Sequence, residues 1–89
     1  MVTFIILMKV KRNRINGIAE QMAEMPEISE VYSVTGSYDL VAIVRTHSND
    51  DVAQLVADRL GPIKGIKQTD TMLAFKAYSQ HDLEAMFSI

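Results

Sequence analysis

The sequence predicts an α+β domain of order βαββαβ, with four strands in one antiparallel sheet and both helices on the same face. Three observations carry this. An alternating apolar run opens the chain, two later segments keep the i, i+3, i+4, i+7 spacing of amphipathic helices, and the strand-helix-strand halves match in length. With 89 residues there is room for a single domain, 1–89, which excludes a multidomain enzyme and a barrel of eight strand-helix units.

Each element has its own signal. Val2, Phe4, Ile6, Met8 and Val10 fall on one face of a strand, with Thr3, Ile5, Leu7, Lys9 and Lys11 on the other, and the first face should meet the core. Ile15, Ile18, Ala19, Met22, Ala23 and Met25 make the apolar side of a helix that Asn13 caps and Pro26 ends. Residues 28 to 35 read as a second strand with Ile28, Tyr32 and Val34 on one face. Gly36-Ser37 then turns the chain into a third strand, Tyr38 to His47, as an antiparallel hairpin. Ser48 stands three residues before Asp51 as a helix cap, and both Asp50 and Asp51 suit the positive end of the helix dipole. Val52, Leu55, Val56 and Leu60 form the buried stripe, and Gly61-Pro62 stops the helix. The last strand is expected from about Ile66 to Tyr78, with a short helical turn from Asp82 to Phe87.

This order is the split βαβ, or ferredoxin-like, arrangement. With both helices on one side, the other sheet face is expected to carry Ile5, Leu7, Val41, Ile43, Leu73 and Phe75. A soluble monomer does not leave such a patch exposed, so dimerisation through the sheet is expected.

Composition removes most chemistry. A net charge of −2 leaves no electrostatic footprint for nucleic acid, and the absence of cysteine excludes disulfides, thiol catalysis and cysteine-held metals. The run Phe4-Ile5-Ile6-Leu7-Met8 is too short to cross a membrane, and its basic residues follow it where a signal peptide would place them first. A cytoplasmic location is therefore expected. His47 and His81 lack ligand spacing, so no metal is expected. No G-x-S-x-G elbow and no phosphate-cradling glycine loop is present, and Glu20 and Glu24 read as a solvated face. Neither a catalytic residue nor a cofactor is expected. Lys9, Lys11, Arg12 and Arg14 admit two readings, an anion site or charge that blunts the end of a strand.

The sharpest local signal is Gly36-Ser37-Tyr38-Asp39-Leu40. Gly36 permits a backbone geometry closed to other residues, and Asp39 is a carboxylate at the mouth of an apolar hairpin. Turn amides beside a carboxylate can hold both ends of a zwitterion, the amides taking its carboxylate and Asp39 its ammonium. The alternative is a plain turn, in which Tyr38 packs and Asp39 caps the loop.

Val31 to Leu40, preceded by Met25-Pro26-Glu27-Ile28, resembles the signature of the effector domain of the Lrp/AsnC regulators, also called the RAM domain. The likeness runs from Val2 to Tyr78, with the G-x-Y-D turn as its most specific part, and Thr69-Asp70-Thr71 is similar to the family's T-x-T stretch. The resemblance implies a ferredoxin-like fold, dimers formed through the sheets, rings of octamer or decamer size, and amino-acid effectors held between dimers. It also implies the ligand-binding residues Gly36, Ser37, Tyr38, Asp39 and Leu40, with Gly36, Tyr38 and Asp39 on the amino-acid group. Thr69 and Thr71 would line the side-chain end. Family members of full length carry a helix-turn-helix domain, whereas here the first strand begins at residue 2. The expectation is a stand-alone module without direct DNA binding, whose regulatory role is indirect, through a full-length regulator of the family in mixed assemblies or through another partner. Three functions compete: an oligomeric amino-acid sensor, a ligand-free assembly subunit and, least favoured, a small ferredoxin-like enzyme.

Overall fold

The computed structural model describes residues 1–78, so His81 and the turn expected at Asp82 to Phe87 lie outside the described residues. Within it, β1 (Val2–Val10), α1 (Ile15–Ala23), β2 (Ile28–Ser33), β3 (Leu40–Thr46), α2 (Asn49–Gln54) and β4 (Ile66–Ala74) follow in the expected order. The strands form one antiparallel sheet ordered β2-β3-β1-β4. Alternation on β1 and β3 turns Phe4, Ile6, Met8, Leu40, Ala42 and Val44 to the helices, where they pack with Ile18 and Met22 of α1 and with Val52, Leu55 and Leu60. The fold is ferredoxin-like.

The two helices begin differently. At α2 the expected cap is present, with Ser48 Oγ accepting from the Asp51 amide at 3.3 Å. At α1 it is not: Asn13 sits inside a 3-10 turn, Arg12–Arg14, and no side chain caps the helix. Backbone ties take its place. The Arg14 amide donates to the Lys11 carbonyl and the Lys11 amide to the Gly65 carbonyl, each at 2.8 Å, which fixes the start of α1 against the connection that leads to β4.

Beyond Gln54 the helix widens into a π-helical turn, Leu55–Leu60, which the Gly61 amide closes on the Val56 carbonyl at 2.9 Å. A Cβ at position 61 would lie 2.8 Å from the Ala57 carbonyl oxygen, so only glycine fits. Because the obstacle is backbone, Gly61→Ala is expected to cost about 1–3 kcal/mol. Urea denaturation checks this: the midpoint should fall while the slope stays constant.

The strands depart from expectation in three places. β2 ends at Ser33 and β3 starts at Leu40, so residues 34–39 form a loop where a two-residue turn was expected. A bulge between Ile28 and Glu30 puts Ile28 and Tyr32 on opposite faces; Ile28 is 5% exposed and Tyr32 49%. In β4, Leu73 pairs with Phe4 and Met72 with Ile5. Leu73 therefore faces the helices and Met72 the open side, while Phe75 lies past the end of the strand. Met72 and Leu73 are adjacent apolar residues, so alternation could not say which of them points inward. The open face thus carries Ile5, Leu7, Val41 and Ile43 with Tyr32, Met72 and Asp70.

Candidate functional site

The loop 34–39 is closed across its base by the Val34 amide, which donates to the Asp39 carbonyl at 3.0 Å. At its tip Gly36 has φ 109°, in the left-handed region that favours glycine. Nothing lies within 4 Å of a Cβ built there, so the constraint is the backbone and not space.

Asp39 is held twice by β1. Its amide donates to the Met8 carbonyl at 2.8 Å, and its Oδ2 accepts the Val10 amide at 2.9 Å. A side chain thus extends the β1–β3 ladder by one step past Leu40. Leu40 is wholly buried and anchors the loop from beneath. Ser37 is exposed with Gly36. Among the described residues, Val34 and Asp39 are the loop positions whose amides bond to backbone carbonyls. Among the described residues, the amides of residues 35–38 make no hydrogen bond, and they lie in the same loop as a fixed carboxylate.

Tyr38 leaves the loop in another direction. Its hydroxyl donates to Asp70 Oδ2 on β4, and the Lys9 ammonium lies 5.8 Å from the ring centroid. β1 separates β3 from β4, so the ring crosses β1 on the open face. The hydrogen bond to the Asp70 carboxylate raises the Tyr38 pKa above its ordinary value, with desolvation and the carboxylate's charge adding to it. The phenol accordingly keeps its proton, and the bond it donates, throughout the neutral range.

Thr69 and Thr71 are elsewhere. They pair with Met8 and Ile6, which puts them on the helix-facing side of β4. Thr71 lines a cleft of about 410 Å³ between α2 and β4, with Phe4, Val52, Val56 and Leu73. Thr69 borders a neighbouring cavity of about 210 Å³ with Val56, Leu60 and Ile66. One chain therefore joins the turn to Asp70 and does not join it to the two threonines. Sequence reading treated Asp70 as the unassigned middle of Thr69-Asp70-Thr71; alternation against its threonine neighbours was the one available sign that it faces the other way.

The basic cluster is spread out: Lys9 lies over Tyr38, Arg14 Nε donates to the Lys64 carbonyl at 3.4 Å, and Lys11 and Arg12 are exposed. Among the described residues no three His, Cys, Asp or Glu side chains converge on a metal position, and no helix is long and apolar enough to cross a membrane.

Known proteins share this architecture. Residues 3–83 match the family model of the Lrp/AsnC ligand binding domain. The chain is 38% identical, over 75 residues, to the HTH-type transcriptional regulator FL11 of Pyrococcus horikoshii, covering 84% of this chain and 49% of that protein. It thus spans about half the length of that curated relative. The crystal structure of TTHA0845 from Thermus thermophilus superposes with a TM-score of 0.84 at 40% identity, covering 90% of this chain and 100% of that one. The transcriptional regulator NMB0573 from Neisseria meningitidis, solved as a complex with L-Met, shares the fold with a TM-score of 0.80 at 15% identity, over 89% of this chain and 53% of that one. The chain belongs to the Lrp/AsnC ligand binding domain family, and the curated relative named above is a transcriptional regulator.

Proposed function

We propose that this domain senses an amino acid. The loop 34–39 holds the zwitterion, its amides taking the carboxylate and Asp39 Oδ1 the ammonium. Copies associate through the open sheet face into dimers, and the dimers into rings of octamer or decamer size. In the cytoplasm this assembly acts on transcription through a DNA-binding regulator of the family. Family membership supports the sensor class, and the L-Met complex of the Neisseria fold relative makes methionine the first ligand to try. The observation that carries the reading is the loop itself: closed at its base, fixed to β1 through Asp39, and carrying at a glycine tip amides that bond to no carbonyl among the described residues. Since the loop and the threonines occupy opposite sides of one chain, the side-chain end of the site would come from a second copy.

A thermal-unfolding panel with the common amino acids at millimolar concentration tests this. A ligand at 100 times its dissociation constant adds about 2.7 kcal/mol, enough to raise the midpoint by several degrees. Asp39→Asn is the informative variant, because the amide oxygen still accepts from Val10 while the charge is gone. It should fold normally and bind the responding amino acid about ten- to a hundredfold more weakly. Asp39→Ala would also sever the strand-end bond and confuse the two effects.

One observation favours a second reading. Asp39 already serves the sheet through Val10, as a plain structural turn would require. A flat panel with assembly intact would select the ligand-free assembly subunit.

A further inference from the structure

We propose that Asp70 is a positioning residue for the loop: by holding the Tyr38 hydroxyl across β1, it couples the loop to the face through which copies associate. The inference rests on the sensor reading for what the loop binds and on the open face as the interface. Its own support is geometric. Asp70 pairs with Leu7, Leu7 with Val41 and Val41 with Tyr32, so these four residues form one row across the open face. The phenol of Tyr38 ends on the Asp70 end of that row, two strands from the loop that carries it. The bond therefore joins strands that share no ladder. It also lies beside the apolar residues that a second copy would cover.

Enclosure changes what the bond is worth. In water either partner finds other hydrogen bonds, whereas under a second copy a lone carboxylate or hydroxyl is left unsatisfied. A ligand that draws on Tyr38 must then act on association, and association must act on the ligand by the same factor.

Sedimentation equilibrium without ligand tests the coupling on the whole chain, comparing wild type with Tyr38→Phe, Asp70→Ala, Asp70→Asn and the double variant Tyr38→Phe/Asp70→Ala. Tyr38→Phe strands a carboxylate and should weaken association most, by about tenfold or more. Asp70→Ala, which strands only a neutral hydroxyl, should weaken it less, and Asp70→Asn, whose amide oxygen still accepts, should stay near wild type. The double variant should associate better than Tyr38→Phe alone. In Asp70→Ala the tyrosine absorbance titration should also begin at lower pH than in wild type.

Association unchanged in every variant, strictly additive losses, or a wild-type chain that stays monomeric would each overturn the proposal. So would variants whose unfolding midpoints fall while association holds, because the bond would then be structural only. The amino-acid panel on wild type is a separate measurement: a flat panel removes the amino-acid reading, and the association series still decides the role of Asp70.

Discussion

Leu40→Ala is expected to cost about 2–5 kcal/mol, the range for deleting a buried leucine whose cavity cannot fully collapse. Leu40 has 0% exposure and lies between Met8 on β1 and Ser33 on β2, in a core shared with α1. A domain of this size is stable by about 5–15 kcal/mol, so the variant loses a large fraction of its margin. At roughly 4–8 °C per kcal/mol, the midpoint should drop by about 10 °C or more, which calorimetry at low protein concentration reads directly. Leu40 is also the first residue after the loop. Its removal loosens the support beneath Asp39 and should weaken ligand binding without any loss of ligand contact. A drop under about 1 kcal/mol would show that the site repacks and that Leu40 does not anchor the loop.

Ile43→Lys should separate folding from assembly. Ile43 sits half-buried in the middle of the open face, paired with Ile5 on one side and Glu30 on the other. In the monomer a lysine there keeps its ammonium in water beside Glu30, and the loss of one half-buried isoleucine is tolerable. Under a second copy the same charge must be stripped of water, at a cost of several kcal/mol. Association should weaken at least about a hundredfold, with the circular dichroism spectrum unchanged. Sedimentation velocity distinguishes the outcomes: a folded monomer identifies the open face as the interface, and an intact oligomer moves the interface elsewhere.

The order of elements was legible because it follows from periodicity, which the β1 alternation and the α1 stripe display without interruption. Ser48 was legible because a cap is a local hydrogen bond between residues three apart. What failed was whatever depends on a partner distant in sequence. The bulge at Ile28 reverses a face without altering the apolar pattern. The side to which Leu73 points is decided by its pairing with Phe4. Asn13 does not cap because it falls inside the 3-10 turn Arg12–Arg14, and the residue before that turn, Lys11, bonds to Gly65 far along the chain. For the candidate site, the turn and its glycine were visible in five consecutive residues, and the Gly36 φ angle fits that reading. Asp70 was not, since nothing near it in sequence announces a bond to Tyr38. The bond of Asp39 to Val10 was hidden for the same reason.

The central position of β1 bears on how the domain reaches this state. β1 touches β3 and β4 but never β2, the strand that follows it. The β2–β3 hairpin is thus the pairing with the shortest loop to close and the smallest entropy cost of closure. β1 must bypass its sequence neighbour, with α1 folding across as it does so, before the hydrophobic row Phe4, Ile6, Met8 has anything to lie against. β4 can dock only on an edge that β1 has already created. Folding is accordingly expected to be slower than for a helical chain of this length, with the hairpin leading and β4 locking last. Until that last step, β1 presents an apolar strand with a free edge, and during that interval the chain is most open to mispairing with a copy of itself.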